Sequence, residues 1–133
     1  MMNFDVEILS PALGAEIKGL DLANGLDAGT VRELRAAWLD HLVLLFRGQN
    51  LSAADEVCVA GYFGEPFTNN RVQDFSETEE RNPHVLPITN IRENGEPIGV
   101  LLDGELQFHS DSAFHERPLM ATVLYAIVRT PEQ

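Results

Sequence analysis

The tripeptide His109-Ser110-Asp111 places an imidazole and a carboxylate two residues apart, and both groups bind divalent metal ions. Side chains alternate between the two faces of a β-strand, so on a strand His109 and Asp111 project to the same side. One nitrogen and one oxygen ligand make up two thirds of the 2-His-1-carboxylate set that binds non-haem Fe(II). We therefore predict a metal site at His109 and Asp111, with no third ligand evident in the sequence.

Two alternatives to this site come from the same residue types. The His-x-Asp spacing also arises by chance, so a surface histidine beside an aspartate with no function is the first alternative. His115 is a possible third ligand, but on a continuous strand it lies about 20 Å from His109, at about 3.3 Å per residue. We expect His115 at the surface. His84 is expected to be solvated or to line an active site from a loop, and His41 to lie at a helix C-terminus, where positive charge is favourable.

Other kinds of catalytic site find little support. Cys58 has apolar neighbours and no nearby histidine, which predicts a buried, inert thiol. Ser110 has no partners for a catalytic triad, and Gly95 and Gly99 lack the spacing of a phosphate-binding loop. Arg47 follows an apolar run, so it is either an ion-pairing structural residue or the edge of an anion site.

The composition favours one soluble domain covering residues 1–133. Of the 133 residues, 44% are hydrophobic, which is enough for a core. The net charge of −12 disfavours nucleic acid and anionic membranes as partners. One cysteine, no long apolar run and no signal peptide predict a cytoplasmic location.

The first half of the chain has the periodicities of mixed α/β structure. Alternation over residues 4–8 predicts a half-buried strand, and residues 15–22 predict a second one. Asp27 is a candidate N-cap for a helix whose apolar face carries Val31, Leu34, Trp38 and Leu42. Residues 42–46 predict a strand buried on both faces. A capping box at Ser52 and Asp55 predicts a second helix that ends near Gly64.

The second half reads as β-structure after a long polar loop at 65–84. We predict strands at 85–91, 97–103, 106–114 and 119–128, with His109 and Asp111 on the third of these. The fold class is therefore α+β. A final strand with an unpaired edge would be a liability for a complete domain.

Four segments resemble the TauD/TfdA family of Fe(II)- and 2-oxoglutarate-dependent dioxygenases. Their order and spacing agree with the family from about residue 6 to residue 130. They are Leu13-Gly14-Ala15-Glu16-Ile17 with Gly19-Leu20-Asp21-Leu22, then Leu45-Phe46-Arg47-Gly48-Gln49 with Leu51-Ser52, then Phe63-Gly64-Glu65-Pro66, and finally Phe108-His109-Ser110-Asp111 with Phe114 and Pro118.

The resemblance implies helices and strands that lead into a double-stranded β-helix (jelly roll), here truncated. It implies that His109 and Asp111 bind Fe(II), and that 2-oxoglutarate and O₂ act as co-substrates in the hydroxylation of a small organic substrate. Family members are longer, and their distal histidine ligand and 2-oxoglutarate-binding arginine lie beyond Gln133. We therefore expect this fragment to be inactive alone. The alternative is a non-catalytic remnant that forms a homo-oligomer, binds a partner or pairs with a missing C-terminal half.

Overall fold

The computed structural model describes residues 3–68, 82–89, 92–97 and 109–127. Two helices, a small three-stranded sheet and a two-stranded sheet make up this part of the chain, so the fold is α+β as predicted. The elements in chain order are β1 (Asp5–Ile8), β2 (Ala15–Lys18), a 3₁₀ turn (Leu22–Asn24), α1 (Ala28–His41), β3 (Leu44–Leu45), α2 (Ala53–Gly61), β4 (Arg92–Glu93) and β5 (Glu96–Pro97).

A three-stranded sheet, in the order β1-β2-β3, forms one side of the core. β1 runs antiparallel to β2 with Val6 opposite Ile17, and β2 runs parallel to β3 with Ala15 opposite Leu44. The alternation that predicted the first strand is confirmed by β1. In β2, Ala15 and Ile17 are buried while Lys18 is exposed, as expected for a sheet with one face on a core.

Helix α1 begins where the sequence predicts. The Asp27 side chain accepts hydrogen bonds from the backbone nitrogens of Gly29 (2.8 Å) and Thr30 (3.1 Å), and from the Thr30 hydroxyl (2.7 Å). These bonds stabilise the charged carboxylate, so they hold the pKa of Asp27 below its ordinary value. Leu34 on the predicted apolar face is fully buried, and the helix ends at His41.

Helix α2 begins with the predicted capping box. The Asp55 backbone nitrogen donates to the Ser52 hydroxyl (3.2 Å), and the Ser52 backbone nitrogen donates to the Asp55 carboxylate (2.9 Å). Hydrogen bonds from Ser52 lower the pKa of Asp55. The helix ends at Gly61 with Tyr62 as a right-handed C-cap, three residues before Gly64, near which the sequence predicted its end.

The core lies between the sheet and the two helices. Its buried apolar members are Phe4, Ile17, Leu22, Leu34, Ala37, Val59 and Phe63. Trp38 on α1 makes an edge-to-face contact with Phe63, two residues after the end of α2, and the ring centroids lie 5.4 Å apart. Neither helix of the described residues combines the length and the apolar character that a transmembrane span requires.

The strand predicted at 42–46 is mostly wrong. Only Leu44–Leu45 pairs with β2, and both residues are half-buried. Leu42, at a left-handed φ of 67°, and Val43 are exposed by 62% and 52%. The uninterrupted apolar run at 42–46 predicted a strand with both faces buried. β3 is instead only two residues long and lies at the edge of the sheet. The strand predicted at 15–22 likewise ends at Lys18, before the 3₁₀ turn.

The β-rich second half is not formed as predicted in the described residues. Residues 85–89 contain no strand, and Asp111–Phe114 form a turn where a strand was predicted. Residues 119–127 contain no strand and pair with no described strand. Side-chain alternation predicts an extended backbone, but a ladder also needs a neighbouring strand, which local sequence does not specify. Pro97, the first residue of the strand predicted at 97–103, lies in β5. Residues 69–81, 90–91, 98–108 and 128, which hold the rest of these predictions, lie outside the described residues.

Candidate metal centre

His109 and Asp111 face each other at the surface. The distance from His109 Nε2 to Asp111 Oδ1 is 3.2 Å, and the two side chains are 59% and 55% exposed. The structure therefore brings together the two residues that the sequence predicts as ligands. Their exposure keeps one side of the pair open to solvent.

A turn, rather than a strand, produces this geometry. Asp111 begins the turn, and Ser112 has a left-handed φ of 52°. The His115 backbone nitrogen donates to the Ser112 carbonyl at 3.1 Å and closes the turn. The prediction that the pair projects from one face of a strand is therefore wrong, although the pair itself forms.

The donor set fits a divalent metal ion. Two ligands bound at about 2.1 Å, at right angles on a six-coordinate ion, lie about 3.0 Å apart. The 3.2 Å between His109 Nε2 and Asp111 Oδ1 is close to that separation. Within residues 3–68, 82–89, 92–97 and 109–127, no group of three or more His, Cys, Asp or Glu side chains is arranged to hold a metal.

The second oxygen of the Asp111 carboxylate contacts a residue to which the sequence analysis gave no role. The Thr122 hydroxyl donates to Asp111 Oδ2 at 3.4 Å. Thr122 lies in segment 119–127, at a position that faces solvent between the half-buried Ala121 and Val123. Alternation could have indicated this outward orientation, but not the contact with a turn earlier in the chain.

Two polar side chains attach segment 119–127 to the helical region. The Tyr125 hydroxyl donates to the Gln49 carbonyl (3.2 Å) and accepts from the Leu51 backbone nitrogen (3.2 Å). The Gln49 side chain in turn accepts from Leu22 N (2.9 Å) and donates to the Leu20 carbonyl (3.0 Å). Gln49 and Tyr125 thus connect the segment that contacts Asp111 to the core.

The family of the chain follows from its sequence match to a family model. The profile of the family described as "Taurine catabolism dioxygenase TauD, TfdA family" matches residues 5–133, which include His109, Asp111 and every helix and strand named above. The chain belongs to the TauD/TfdA family. The resemblance drawn from the four sequence segments is confirmed.

Individual relatives cover parts of this TauD/TfdA chain. An alpha-ketoglutarate-dependent sulfate ester dioxygenase of Pseudomonas putida is 38% identical over 53% of this chain and 24% of its own length. Pentalenolactone F synthase of Streptomyces avermitilis is 32% identical over 90% of this chain and 39% of its own length. The crystal structure of a candidate alpha-ketoglutarate-dependent taurine dioxygenase from Burkholderia xenovorans has a TM-score of 0.51 at 36% identity, covering 59% of this chain and 27% of that one. The chain thus spans roughly a quarter to two fifths of these relatives.

The other histidines take different positions. The rings of His115 and Phe67 lie 5.7 Å apart, and those of His115 and Phe114 lie 4.5 Å apart. His84 Nδ1 lies 3.2 Å from the Phe67 carbonyl oxygen, and the His84 side chain is exposed. Phe67 therefore brings both histidines into one surface region. His41 is the last residue of α1, which confirms the predicted helix C-terminal position.

The remaining residues considered from the sequence have structural or exposed positions. Arg47 Nε lies 3.4 Å from Glu16 Oε2, which confirms the ion-pairing interpretation of Arg47. Cys58 is exposed, so the predicted burial of its thiol is wrong. Cys58 lies on the solvent side of α2 and its Sγ contacts the Tyr62 hydroxyl at 3.6 Å, whereas the neighbouring Val59 faces the core.

An apolar cavity lies on the core side of segment 119–127. It has a volume of about 180 Å³. Its wall includes aromatic and aliphatic side chains from both helices, from the loop that holds Gln49 and from the segment itself. Among them are Trp38, Phe46, Leu51, Phe63, Val123 and Tyr125.

Proposed function

We propose that the protein containing this chain is an Fe(II)- and 2-oxoglutarate-dependent dioxygenase that hydroxylates a small organic substrate. The observation that carries the proposal is the 3.2 Å approach of His109 Nε2 to Asp111 Oδ1 in a TauD/TfdA-family chain. The sulfate ester dioxygenase and the taurine dioxygenase named above are both described as alpha-ketoglutarate-dependent, which supports the same co-substrate for this protein. Because the chain spans only part of those relatives, the activity is proposed for the whole protein.

In this proposal His109 and Asp111 hold the metal from one side. Neutral His109 offers the Nε2 lone pair, and the ionised Asp111 carboxylate offers one oxygen and one negative charge against the two positive charges of the ion. Bound Fe(II) supplies the oxidation chemistry, in which O₂ and 2-oxoglutarate are consumed and succinate, CO₂ and a hydroxylated product are formed. The exposed side of the pair leaves room for the co-substrate and for further ligands.

The proposal also covers the fold of the complete domain. We infer that the 133-residue chain is one part of a double-stranded β-helix domain and that segment 119–127 is one of its strands. The alternation along this segment supports that inference, since Ala121, Val123 and Tyr125 are half-buried while Thr122 and Leu124 are exposed. The small sheet and the two helices would then pack outside the β-helix.

Anaerobic Mn(II) binding, followed by electron paramagnetic resonance in the complete natural polypeptide, tests the proposed ligands. His109→Ala and Asp111→Ala each remove a direct ligand, so each is expected to weaken Mn(II) binding by more than the ~10–100-fold typical of a supporting residue. His115→Ala is the matched control, because it removes an exposed imidazole a few residues away. Succinate formation from 2-oxoglutarate, with Fe(II) and O₂, then tests the reaction.

The outcomes separate the ligand assignment from the reaction. Loss of Mn(II) binding in both ligand variants, with binding retained in His115→Ala, supports the metal centre. Wild-type Mn(II) affinity in His109→Ala and Asp111→Ala would overturn it. Metal binding without any 2-oxoglutarate consumption across a panel of candidate substrates would argue against the proposed reaction.

A non-catalytic interaction module is the second candidate. Met120, Leu124 and Ile127 are exposed by 66%, 78% and 84%, which gives segment 119–127 an apolar outer side. In this reading the segment pairs with another chain. Light scattering would then show an oligomer that dissociates in Leu124→Glu, persists in the control Leu39→Glu at an exposed position on α1, and is unchanged in Asp111→Ala. A monomer at every concentration would rule out self-association.

A further inference from the structure

We propose that Thr122 is a positioning residue that fixes the orientation of the Asp111 carboxylate for metal binding. The inference rests on the proposed metal centre and extends it to a residue outside the His-x-Asp motif. Its starting point is the hydrogen bond from Thr122 Oγ1 to Asp111 Oδ2, which measures 3.4 Å. The hydroxyl comes from a segment that follows the turn holding His109 and Asp111.

The two carboxylate oxygens of Asp111 have different neighbours. Oδ1 lies 3.2 Å from His109 Nε2, whereas Oδ2 accepts from Thr122. This division leaves Oδ1 facing the same space as the imidazole nitrogen. A carboxylate held through Oδ2 therefore presents one defined oxygen to an ion that His109 also binds.

The turn by itself gives Asp111 little rotational restraint. The Asp111 side chain is 55% exposed, and the turn that it begins has no sheet ladder. The χ2 torsion of aspartate is broad and roughly two-fold, so an exposed carboxylate samples many orientations. Fixing that torsion on metal binding costs conformational entropy, and the cost is smaller where a hydrogen bond already restricts the torsion.

Thr122 is well placed to supply that restraint because its own backbone is anchored on both sides. Ala121 and Val123 pack against the core. Tyr125 holds the same segment through its two hydrogen bonds to Gln49 and Leu51. The hydroxyl of Thr122 is thus presented from a segment tied to the core, while Asp111 lies on an exposed turn.

Two substitutions of Thr122 test whether its hydroxyl or the shape of its side chain affects metal binding. Thr122→Val keeps the branched side chain and removes the donor, whereas Thr122→Ser keeps the donor. In the complete natural polypeptide, Thr122→Val is expected to weaken Mn(II) binding by ~10–100-fold, the usual effect of losing a residue that orients a ligand. Thr122→Ser is expected to restore affinity to near the wild-type value. Ser110→Ala is the matched control, because it removes a hydroxyl between the two proposed ligands without removing a described contact to Asp111.

Thermal unfolding of each metal-free variant accompanies the Mn(II) titration, so that a general loss of structure is recognised. Weakened binding in Thr122→Val, with unchanged metal-free stability and with rescue by Thr122→Ser, supports the inference. Wild-type affinity in Thr122→Val, together with lost binding in Asp111→Ala, overturns the role of Thr122 and leaves the metal centre intact. Equal weakening in Thr122→Val and Thr122→Ser also overturns it, because the hydroxyl is then not the cause. Unchanged binding in Asp111→Ala removes both the metal centre and the role of Thr122.

Discussion

Residues 3–64 and residues 109–127 are held in place in different ways. In the first region, β1, β2 and β3 form a sheet, and both helices begin at caps whose side chains bond the first turn. In the second region the described residues form a turn followed by an irregular segment with no sheet ladder. That segment depends on the apolar contacts of Ala121 and Val123 and on the hydroxyl of Tyr125.

The proposed metal ligands lie in the region with fewer supports. A ligand pair on a turn keeps its geometry only through contacts with more rigid elements, so the supporting residues matter as much as the ligands. Here the path runs from the core through Gln49 and Tyr125 to segment 119–127, and from Thr122 to Asp111. The comparison therefore predicts that damage to the first region unfolds the chain, whereas damage to the connecting path mainly affects the site.

The largest effect is expected at the centre of the first region. Leu34 is fully buried, so Leu34→Ala should lower the free energy of unfolding by about 2–5 kcal/mol through lost burial and the cavity left behind. Leu39→Ala is the matched control on the same helix, because Leu39 is 67% exposed and alanine favours helix. Chemical denaturation measures both. Equal losses in the two variants would show that α1 does not pack as described.

A smaller and more local effect is expected at the junction of the two regions. Tyr125→Phe removes the hydroxyl that accepts from Leu51 N and donates to the Gln49 carbonyl, which should cost about 1–3 kcal/mol. Hydrogen exchange should become faster in residues 119–127 and much less so in α1. Leu124→Ala, at a 78% exposed neighbour, is the control. Uniformly faster exchange throughout the chain would contradict the idea that the two regions are supported separately.

The elements of the first region could be predicted because their signals are local. The N-cap at Asp27 and the capping box at Ser52 and Asp55 satisfy backbone groups within one helical turn, so neighbouring residues alone specify them. The alternation at residues 4–8 predicted where β1 lies, whereas its pairing with β2 could not be predicted from neighbouring residues alone. The length of β3 could not be predicted, because it depends on how far β2 runs beside it.

The site could be predicted only as a pair of residue types. The sequence identified His109 and Asp111 but placed them on a strand, since the turn at Ser112 has no strong local signal such as glycine. Thr122 and Gln49 were missed as supports because each acts on residues far from it in the chain. Cys58 was predicted as buried from its apolar neighbours, yet a helix turns each successive residue by about 100°, so Val59 faces the core while Cys58 faces solvent.

The smallest expected effect on stability comes from the charge of Asp27, the N-cap of α1 in the first region. Hydrogen bonds from Thr30 and Gly29 lower the pKa of Asp27 below its ordinary value of 3.8, so the folded state favours the ionised carboxylate. The resulting stabilisation is present above pH 3.8 and is lost as the pH falls through the lowered pKa. Asp27→Asn retains a good N-cap without the charge, so the variant should lack this part of the acid dependence.

Urea denaturation of wild type and Asp27→Asn across the acid range measures the difference directly. We expect wild type to be the more stable form near neutral pH and the two curves to converge as Asp27 is protonated. Asp40→Asn is the control, because it removes a carboxylate from the other end of α1 and leaves the cap intact. A difference between wild type and Asp27→Asn that does not change with pH would mean that the cap acts through its hydrogen-bond geometry alone.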